Sequence, residues 1–554
     1  MDSNGKLKAL HQLSGDQIYD TRIMDKRIGD SETAQDDYAL RRVPGTWRWS
    51  AWGSLWAFSG MSTAMAYPLT AGLLAMAFGG SATIIAFVLA LIYAWLGVYY
   101  MSKKAANEGA ILELISKHTF GSKGSAYQIV IFGVVGTIYF SLEGHVMAVA
   151  LSEAIPILPY WVSVAIICIV FIPLTLYGMV FIEKLQSLSV WLYIVGILMA
   201  IVGLFAGWTE QANSALAGSN WWNVNPNNVP LSWVSVLGAF GAICGLLGSI
   251  LVLLCTDTAR FAKRNEAKKS ALLTSLVGAT VPLFLTPLFG IYLLAATAGK
   301  MPDPGVSLVW LMGHVGLLLI LITQVRVNVI NVYFGTNALE NFSSQILKLN
   351  WKRTKFLIPF MIISFIIMVS PFLNYFGTIM TMLSVFLVNW TMALFGDFFL
   401  VRKKYNIPQW SEFRRGYVAQ YNKIGMFAMW LPTIVGVAMG SGAFGVKTQA
   451  LAVPIAGIAS FFVPIIVASL ITNESLFKQY FARIPAKAPA ANSSDEHKCS
   501  VCSHSYHKSD FVLCPFHSDS YICSQCCASE KNCGTVCHSQ TQVIAASTES
   551  YISN

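Results

Sequence analysis

The sequence predicts an all-α polytopic membrane protein of about 12 transmembrane helices, and three observations predict it. Charged residues are 12% of the 554 and hydrophobic residues 55%, whereas a soluble domain carries about 25% charged residues. The apolar residues fall in continuous runs long enough to cross a bilayer as helices, which takes roughly 20 residues each, and not in the alternation of a membrane β-barrel. The basic residues between the runs are placed one-sidedly. Together these exclude a soluble globular enzyme, a disordered chain and a secreted disulfide scaffold. The net charge of +10 would suggest nucleic acid in a soluble protein. Here its placement makes it a topology signal, and no nucleic-acid partner is expected.

The runs lie near 49–78, 81–101, 126–152, 160–181, 187–207, 232–255, 270–297, 308–337, 356–374, 376–400, 426–446 and 449–472. Only Asn374 and Tyr375 separate the ninth from the tenth. With the N-terminus inside, the inner loops hold twenty Lys and Arg, from Lys103 to Lys423, and the outer loops hold Lys300 and Lys447. The positive-inside rule then places both termini in the cytoplasm of a multi-pass protein of the plasma or inner membrane. Segment 1–47 is polar and is neither a secretory signal nor a lipidation motif. Loop 208–231 lacks Lys and Arg and is rich in Trp, Asn and Pro, as an outer loop should be. The expected organisation is a cytoplasmic segment 1–47, a transporter domain 48–472, a linker 473–496, a Cys/His-rich module 497–540 and a tail 541–554.

Two runs are interrupted. The first holds Ser59-Gly60-Met61-Ser62 at mid-depth, then Tyr67-Pro68; the sixth holds Gly238, Gly241, Gly245 and Gly248. Each opens a block of five spans. Paired interruptions at corresponding positions point to a transporter built from inverted repeats, in which unwound backbone faces a substrate or ion at the midplane. Close helix packing through small residues is the alternative account of the same glycines.

These residues carry a resemblance to the nucleobase:cation symporter-1 family, the purine–cytosine permease-like proteins, over about 37–425. The stretch Asp37-Tyr38-Ala39 to Val43-Pro44 resembles the motif ahead of the family's first span. Asp257-Thr258-Ala259-Arg260-Phe261 resembles its Asp-x-x-Arg-aromatic motif after the sixth. Asn328, Asn331 and Tyr333 resemble its Asn-rich eighth span, and Asp397-Phe398-Phe399-Leu400-Val401-Arg402 the motif closing the tenth. The resemblance implies the inverted five-helix repeat (5+5) plus two helices of the amino-acid/polyamine/organocation superfamily. It also implies cation-coupled uptake of nucleobases or related planar heterocycles. Asp257 and Arg260 stand i, i+3 at a helix end and can pair, as can Asp397 and Arg402. Both sets read as gate or loop charges, with an ordinary solvated helix end as the alternative.

Ionisable groups at membrane depth are functional candidates. Glu143 and Arg326 lie mid-span in the third and eighth runs, corresponding members of the two repeats. By resemblance, Tyr139 falls where relatives stack an aromatic on the ligand ring, and Glu143 where a polar group bonds the ring's edge. Ser59, Gly60, Gly241 and Gly245 would add the unwound backbone. Asn328 and Asn331 offer donors and acceptors to a ligand or between helices, and Glu143 alternatively is a neutral carboxyl bonded inside the bundle. His145, two residues on, should point elsewhere. Sodium-coupled relatives hold the ion near position 326 with small hydroxyl residues. A guanidinium cannot ligate a cation, so Arg326 reads as a fixed internal cation that weakens sodium dependence, as a partner of Glu143, or as a site for an anionic substrate. The coupling ion, H+ or Na+, stays open. The second stacking aromatic of relatives falls here on Gly248, and 241–254 hold no aromatic.

Eight of the 11 Cys fall in 499–537, after the linker-like stretch from Pro485 to Ser494. Cys499/Cys502, Cys514/His517, Cys523/Cys526 and Cys533/Cys537 form four close pairs, with His504, His507, Cys527 and His538 in reserve. Four pairs make two tetrahedral zinc sites, here structural in character, and one pairing is crossed, first with third and second with fourth. In a reducing cytosol metal binding prevails over disulfides. Such a tail suits docking to a cytosolic partner. Cys168, Cys244 and Cys255 lie in spans as core residues. The sequence therefore predicts a secondary transporter and no enzyme, with a transporter-derived sensor acting through the zinc tail as the alternative.

Overall fold

The computed structural model describes residues 38–43, 48–176, 178–206, 220–349, 351–371, 376–483, 496–507, 510–533 and 536–539. Asp37, the stretch from Pro485 to Ser494, the Asn374–Tyr375 junction and the tail 541–554 lie outside the described residues. All twelve apolar runs are helical. The first is a bent pair, α1 (Ala51–Phe58) and α2 (Ala66–Phe78), joined through a tight turn at Met61–Thr63 and extended backbone at Ala64. The first half continues with α3 (Gly80–Glu108), the short α4 (Leu112–Phe120), α5 (Gly124–Ala154), α6 (Tyr160–Thr175) and α7 (Gly178–Ala206). The second half mirrors it: α8 (Trp233–Ala259), α9 (Arg264–Ala296), the short α10 (Pro304–Met312), α11 (His314–Leu347), α12 (Leu357–Val369) and α13 (Phe376–Gly396). Then come α14 (Lys423–Gly440) and α15 (Val446–Ser469). Each half carries one short helix between its second and third spans, as an inverted repeat of five requires.

Among the described residues nine helices are long and apolar enough to cross a bilayer, and the α1–α2 pair makes a tenth. Of the twelve expected spans, α6 and α12 fall short, at 16 and 13 residues. Pro173 sits inside the last turn of α6, where it removes a helix hydrogen bond. The eighth span starts at His314 and not at 308, because Gly313 takes φ +59°, a left-handed conformation that ends α10 and turns the chain. The sixth span is not broken. Its glycine-rich stretch stays helical as a wider-turned segment, Cys244–Ser249, inside one continuous α8.

The core is the packing of α5 on α11, the third members of the two halves. A side chain at Gly136 would put its Cβ 2.7 Å from Gly335 Cα, so the two backbones approach as only small residues allow. Gly136→Val is expected to block this crossing and sharply lower folded yield in detergent. A wild-type elution profile from the variant would show that the contact is not needed.

The added helices α14 and α15 pack on α13. Residues 473–483, expected to begin a linker, instead form α16 (Asn473–Tyr480) and its exit. Thr472 caps this helix, and Leu476, Phe477 and Tyr480 are buried with Ile407 and Trp410; these apolar residues at helical spacing outweighed the polar composition. The Cys-rich module is two short hairpins, β1 (Glu496–Lys498) with β2 (Ser505–His507) and β3 (Phe511–Cys514) with β4 (Ser520–Cys523), followed by α17 (Ser524–Ser529) and α18 (Val536–Ser539).

Candidate functional site

The break in the first span is fixed from three sides. Its second half, α2, starts with free backbone N–H groups, and Glu143 of α5 satisfies them. The carboxylate accepts from Met65 N at 2.9 Å and from Ala66 N at 3.1 Å. A carboxylate belongs at a helix N-terminus on both hydrogen-bonding and dipole grounds. Thr63 Oγ1 donates to Thr323 O at 3.2 Å, and Ser62 Oγ to Gly278 O at 3.1 Å. Gly60 is closely packed: a Cβ there would lie 2.5 Å from both Gln186 Nε2 and Ile330 Cδ1, so those side-chain ends would have to shift.

Arg326 is wholly buried and braces the same break. Its Nη2 donates to Ser59 Oγ at 2.8 Å. Its Nη1 donates to Gln186 O at 2.7 Å and to Ser189 Oγ at 2.5 Å. One guanidinium thus ties α1, α7 and α11 together. It makes no ion pair with Glu143, whose bonds run to the α2 terminus, so that expected pairing does not occur. Gln186 Nε2 returns a bond to Arg326 O at 2.5 Å. Neither Gln186 nor Ser189 had been singled out; their i, i+3 spacing on one helix is the only local signal.

Tyr139 is buried, and its hydroxyl donates to Leu246 O in the wider-turned stretch of α8. Asn331 Nδ2 donates to Asn328 Oδ1 at 3.1 Å, leaving Asn328 Nδ2 and Asn331 Oδ1 buried without a partner. Gln324, one turn earlier, lies beside the Glu143 carboxylate but outside hydrogen-bonding geometry, and both its amide atoms are unpartnered. Buried polar atoms are almost always bonded, so this row on α11 is left with unmet donors and acceptors. Gly241 and Gly245 face packing contacts instead. Cβ atoms there would meet Val453 of α15 at 3.2 Å and Ser384 of α13 at 2.1 Å. The space a Gly248 side chain would take is filled by the Tyr93 ring, 3.3 Å away. His145 points away to Tyr160, with Nδ1 2.8 Å from its hydroxyl.

At the basic end, Arg260 does not pair with the Asp257 carboxylate. Its Nη1 donates to Tyr38 O and its Nη2 to Tyr333 Oη, each at 2.9 Å, while Asp257 Oδ1 is buried without a partner. The Tyr38 carbonyl and the Tyr333 hydroxyl hold the guanidinium away from the i, i+3 carboxylate. Asn341 Nδ2 donates to Ala39 O at 2.8 Å, and Gly109 O accepts from Val43 N at 2.9 Å, so residues 38–43 are strapped across this end. Asp397 and Arg402 do pair, Nε to Oδ2 at 2.8 Å, fully buried; Thr119 Oγ1 donates to the same oxygen at 2.7 Å and the Tyr480 hydroxyl to the other. Removing one member of a buried pair costs about 3–5 kcal/mol. Arg402→Met is therefore expected to lower the thermal midpoint strongly, and Asp397→Asn less. Equal midpoints for wild type and Arg402→Met would deny the pair a structural role.

The thiols of Cys499, Cys502, Cys523 and Cys526 lie within 4.8 Å of one another, a set that could hold a metal ion. The first and third pairs are thus brought together. Of the other set, Cys514 Sγ is 3.3 Å from His517 Nδ1, whose Nε2 is 3.5 Å from Glu530, the carboxylate support common behind ligating histidines. Cys537 lies beside Cys514, but Cys533 Sγ is turned to Glu530 O at 3.9 Å, so the second and fourth pairs are not gathered into a ligand set as the first and third are. The module docks on its own chain: Arg414 Nη1 donates to Phe511 O at 2.8 Å, Lys348 Nζ to Ala528 O at 3.2 Å, Ser524 Oγ to Leu40 O at 3.3 Å, and Tyr417 sits in the module's core.

No protein-family model matches the chain, and no curated protein matches it in sequence. Two corresponding halves of five helices, the first opened by a broken and braced span and the second by a continuous one, with two more helices appended, define a transporter fold of the inverted-repeat class. In solved structures that fold is found in Mhp1, a nucleobase-cation-symport-1 family transporter. Its closed conformation with bromovinylhydantoin bound has a TM-score of 0.57 and 15% identity over 79% of this chain and 98% of that one. Its inward-facing conformation has 0.57 and 16%, over 83% and 100%. A Na+-coupled sialic acid symporter, substrate-bound and outward-open, has 0.55 and 13%, over 85% and 98%. These likenesses establish the fold. With its apolar helices they make this chain a multi-pass membrane protein.

Proposed function

We propose that this chain is a secondary active transporter that imports a neutral nucleobase-like heterocycle by alternating access. The observation that carries this reading is the α1–α2 break capped by Glu143 of α5, together with Tyr139 on the same helix and the half-satisfied amide pair of Asn328 and Asn331 on α11. Since Glu143 already neutralises the α2 N-terminus, a ligand carboxylate gains little there. A ring with N–H donors and carbonyl acceptors suits the amide row better. The Mhp1 likeness supports the same ligand class. Arg326 is the built-in cation that replaces a sodium ion between α1 and α11, leaving proton coupling or weak sodium dependence. The basic end is cytoplasmic by the positive-inside rule, which puts both termini inside. Uptake of labelled cytosine, adenine, hypoxanthine, uracil and allantoin by proteoliposomes tests the reading: saturable accumulation of one supports it. Binding without uptake would favour the transporter-derived sensor, which requires the docked module to release toward a cytosolic partner.

The module takes zinc as a structural ion, bound by Cys499, Cys502, Cys523 and Cys526, with Cys514, His517, Cys533 and Cys537 as the second set. Such small domains fold with their metal. A membrane-impermeant chelator is expected to expose 499–537 to limited proteolysis while the helices stay resistant. Unchanged protection after verified metal loss would remove zinc from the account.

A further inference from the structure

A second, unassigned cluster lies where the Cys-rich module meets the helices. A narrow, solvent-open cleft is lined by Lys117 of α4, Lys123 before α5, Lys348 after α11 and Arg415 at the module's edge. Ser524 and Gln345 complete the polar wall. Lys117 is 3% exposed. None of the four cations has a carboxylate within ion-pair distance among the described residues. Glu113, one turn before Lys117, is the carboxylate that acts on it, without forming an ion pair, and neither of its oxygens is hydrogen-bonded.

The bonds these cations do make run to neutral groups. Lys348 Nζ donates to Ala528 O, and Arg415 Nη1 to Glu530 O at 2.9 Å. With its amide oriented to satisfy its neighbours, Gln345 accepts from Lys117 Nζ at 3.3 Å. Burial first, then the charge of Lys348, holds Lys117 down to about 7, although Glu113 opposes the shift; burial and Arg415 hold Lys348 down to about 8. Four convergent basic groups with no ion-paired carboxylate among the described residues are costly in a half-buried seam. An anion with several acceptor oxygens relieves that cost, and a phosphate group meets it with charge-assisted bonds from Lys and Arg.

We propose that this seam is a phosphate-binding site joining the Cys-rich module to α4 and α11. The phosphate comes from a soluble phosphorylated molecule or from an anionic lipid headgroup, since the cleft opens at the basic end of the bundle. An occupant would bridge Lys117 and Lys348 to Arg415 and strengthen the docking of the module.

The test uses the full-length, metal-loaded protein. One arm titrates inorganic pyrophosphate calorimetrically. The other compares nanodiscs of phosphatidylcholine with nanodiscs containing phosphatidylinositol bisphosphate, reading protection of the module from proteolysis. Binding in the first arm identifies a soluble source; protection only in the second identifies a headgroup. Either signal is expected to weaken about tenfold in Lys348→Gln, the loss of one charged hydrogen bond, and to weaken in Lys123→Gln, a residue outside the docking bonds described above. Lys447→Gln, at the opposite end, should change nothing. No signal in either arm, or a signal indifferent to both variants, would overturn the proposal.

Discussion

Glu143→Gln is expected to abolish coupled uptake, by about 100-fold or more, in a protein that still folds. The carboxylate holds the start of α2 through two backbone N–H groups. Bonds to a charged group contribute about 1.5–3 kcal/mol each. The amide keeps one acceptor oxygen and turns an NH₂ toward a backbone donor. The half-helix then loses its counter-charge, and the guest loses the acceptor beside Gln324. An activity loss of 100-fold corresponds to about 2.7 kcal/mol, within what one such bond supplies. Glu143→Asp keeps the charge one methylene further back and should retain partial uptake. Size-exclusion profile and thermal midpoint separate loss of transport from loss of fold. Wild-type rates in Glu143→Gln would remove this residue from the mechanism.

The second large effect belongs to Arg326. Its guanidinium makes three bonds, to Ser59, Gln186 and Ser189, on helices far apart in sequence. Arg326→Met leaves those acceptors, one buried and two half-buried, without their donor. At roughly 1–3 kcal/mol for each stranded polar group, the loss is a large share of a typical total stability of about 5–15 kcal/mol. A strongly lowered thermal midpoint and no transport are expected. Arg326→Lys should recover part of the stability, because an ammonium is a compact point charge and cannot span a planar fork of acceptors. A midpoint within error of wild type in Arg326→Met would show that the guanidinium does not brace the break.

Much of the fold was legible because it rests on local patterns. Apolar runs and the mid-span Gly60 need no partner to be read. The Asp397–Arg402 pair and the crossing of Cys499/Cys502 with Cys523/Cys526 were legible too, since spacing and ligand chemistry leave few arrangements. The contacts of Arg326 were not. Gln186 and Ser189 lie about 140 positions away, at the polar start of a helix whose apolar run is read only from 187. Gly241 and Gly245 show why glycine is ambiguous: the same residue breaks a helix or admits a neighbour's backbone, and here Ser384 and Val453 occupy the space. Arg260 illustrates a third limit. Its i, i+3 carboxylate looked sufficient, yet the carbonyl of Tyr38 from a distant strap took the guanidinium. The helix α16 was hidden by the polar composition around Leu476, Phe477 and Tyr480.

The most direct test of the central claim is the initial uptake rate in proteoliposomes against external sodium, at fixed pH gradient and membrane potential. With Arg326 acting as the internal cation, the rate of the transported heterocycle is predicted to stay flat from zero sodium upward. A rate that vanishes without sodium and saturates as it is added would contradict the account.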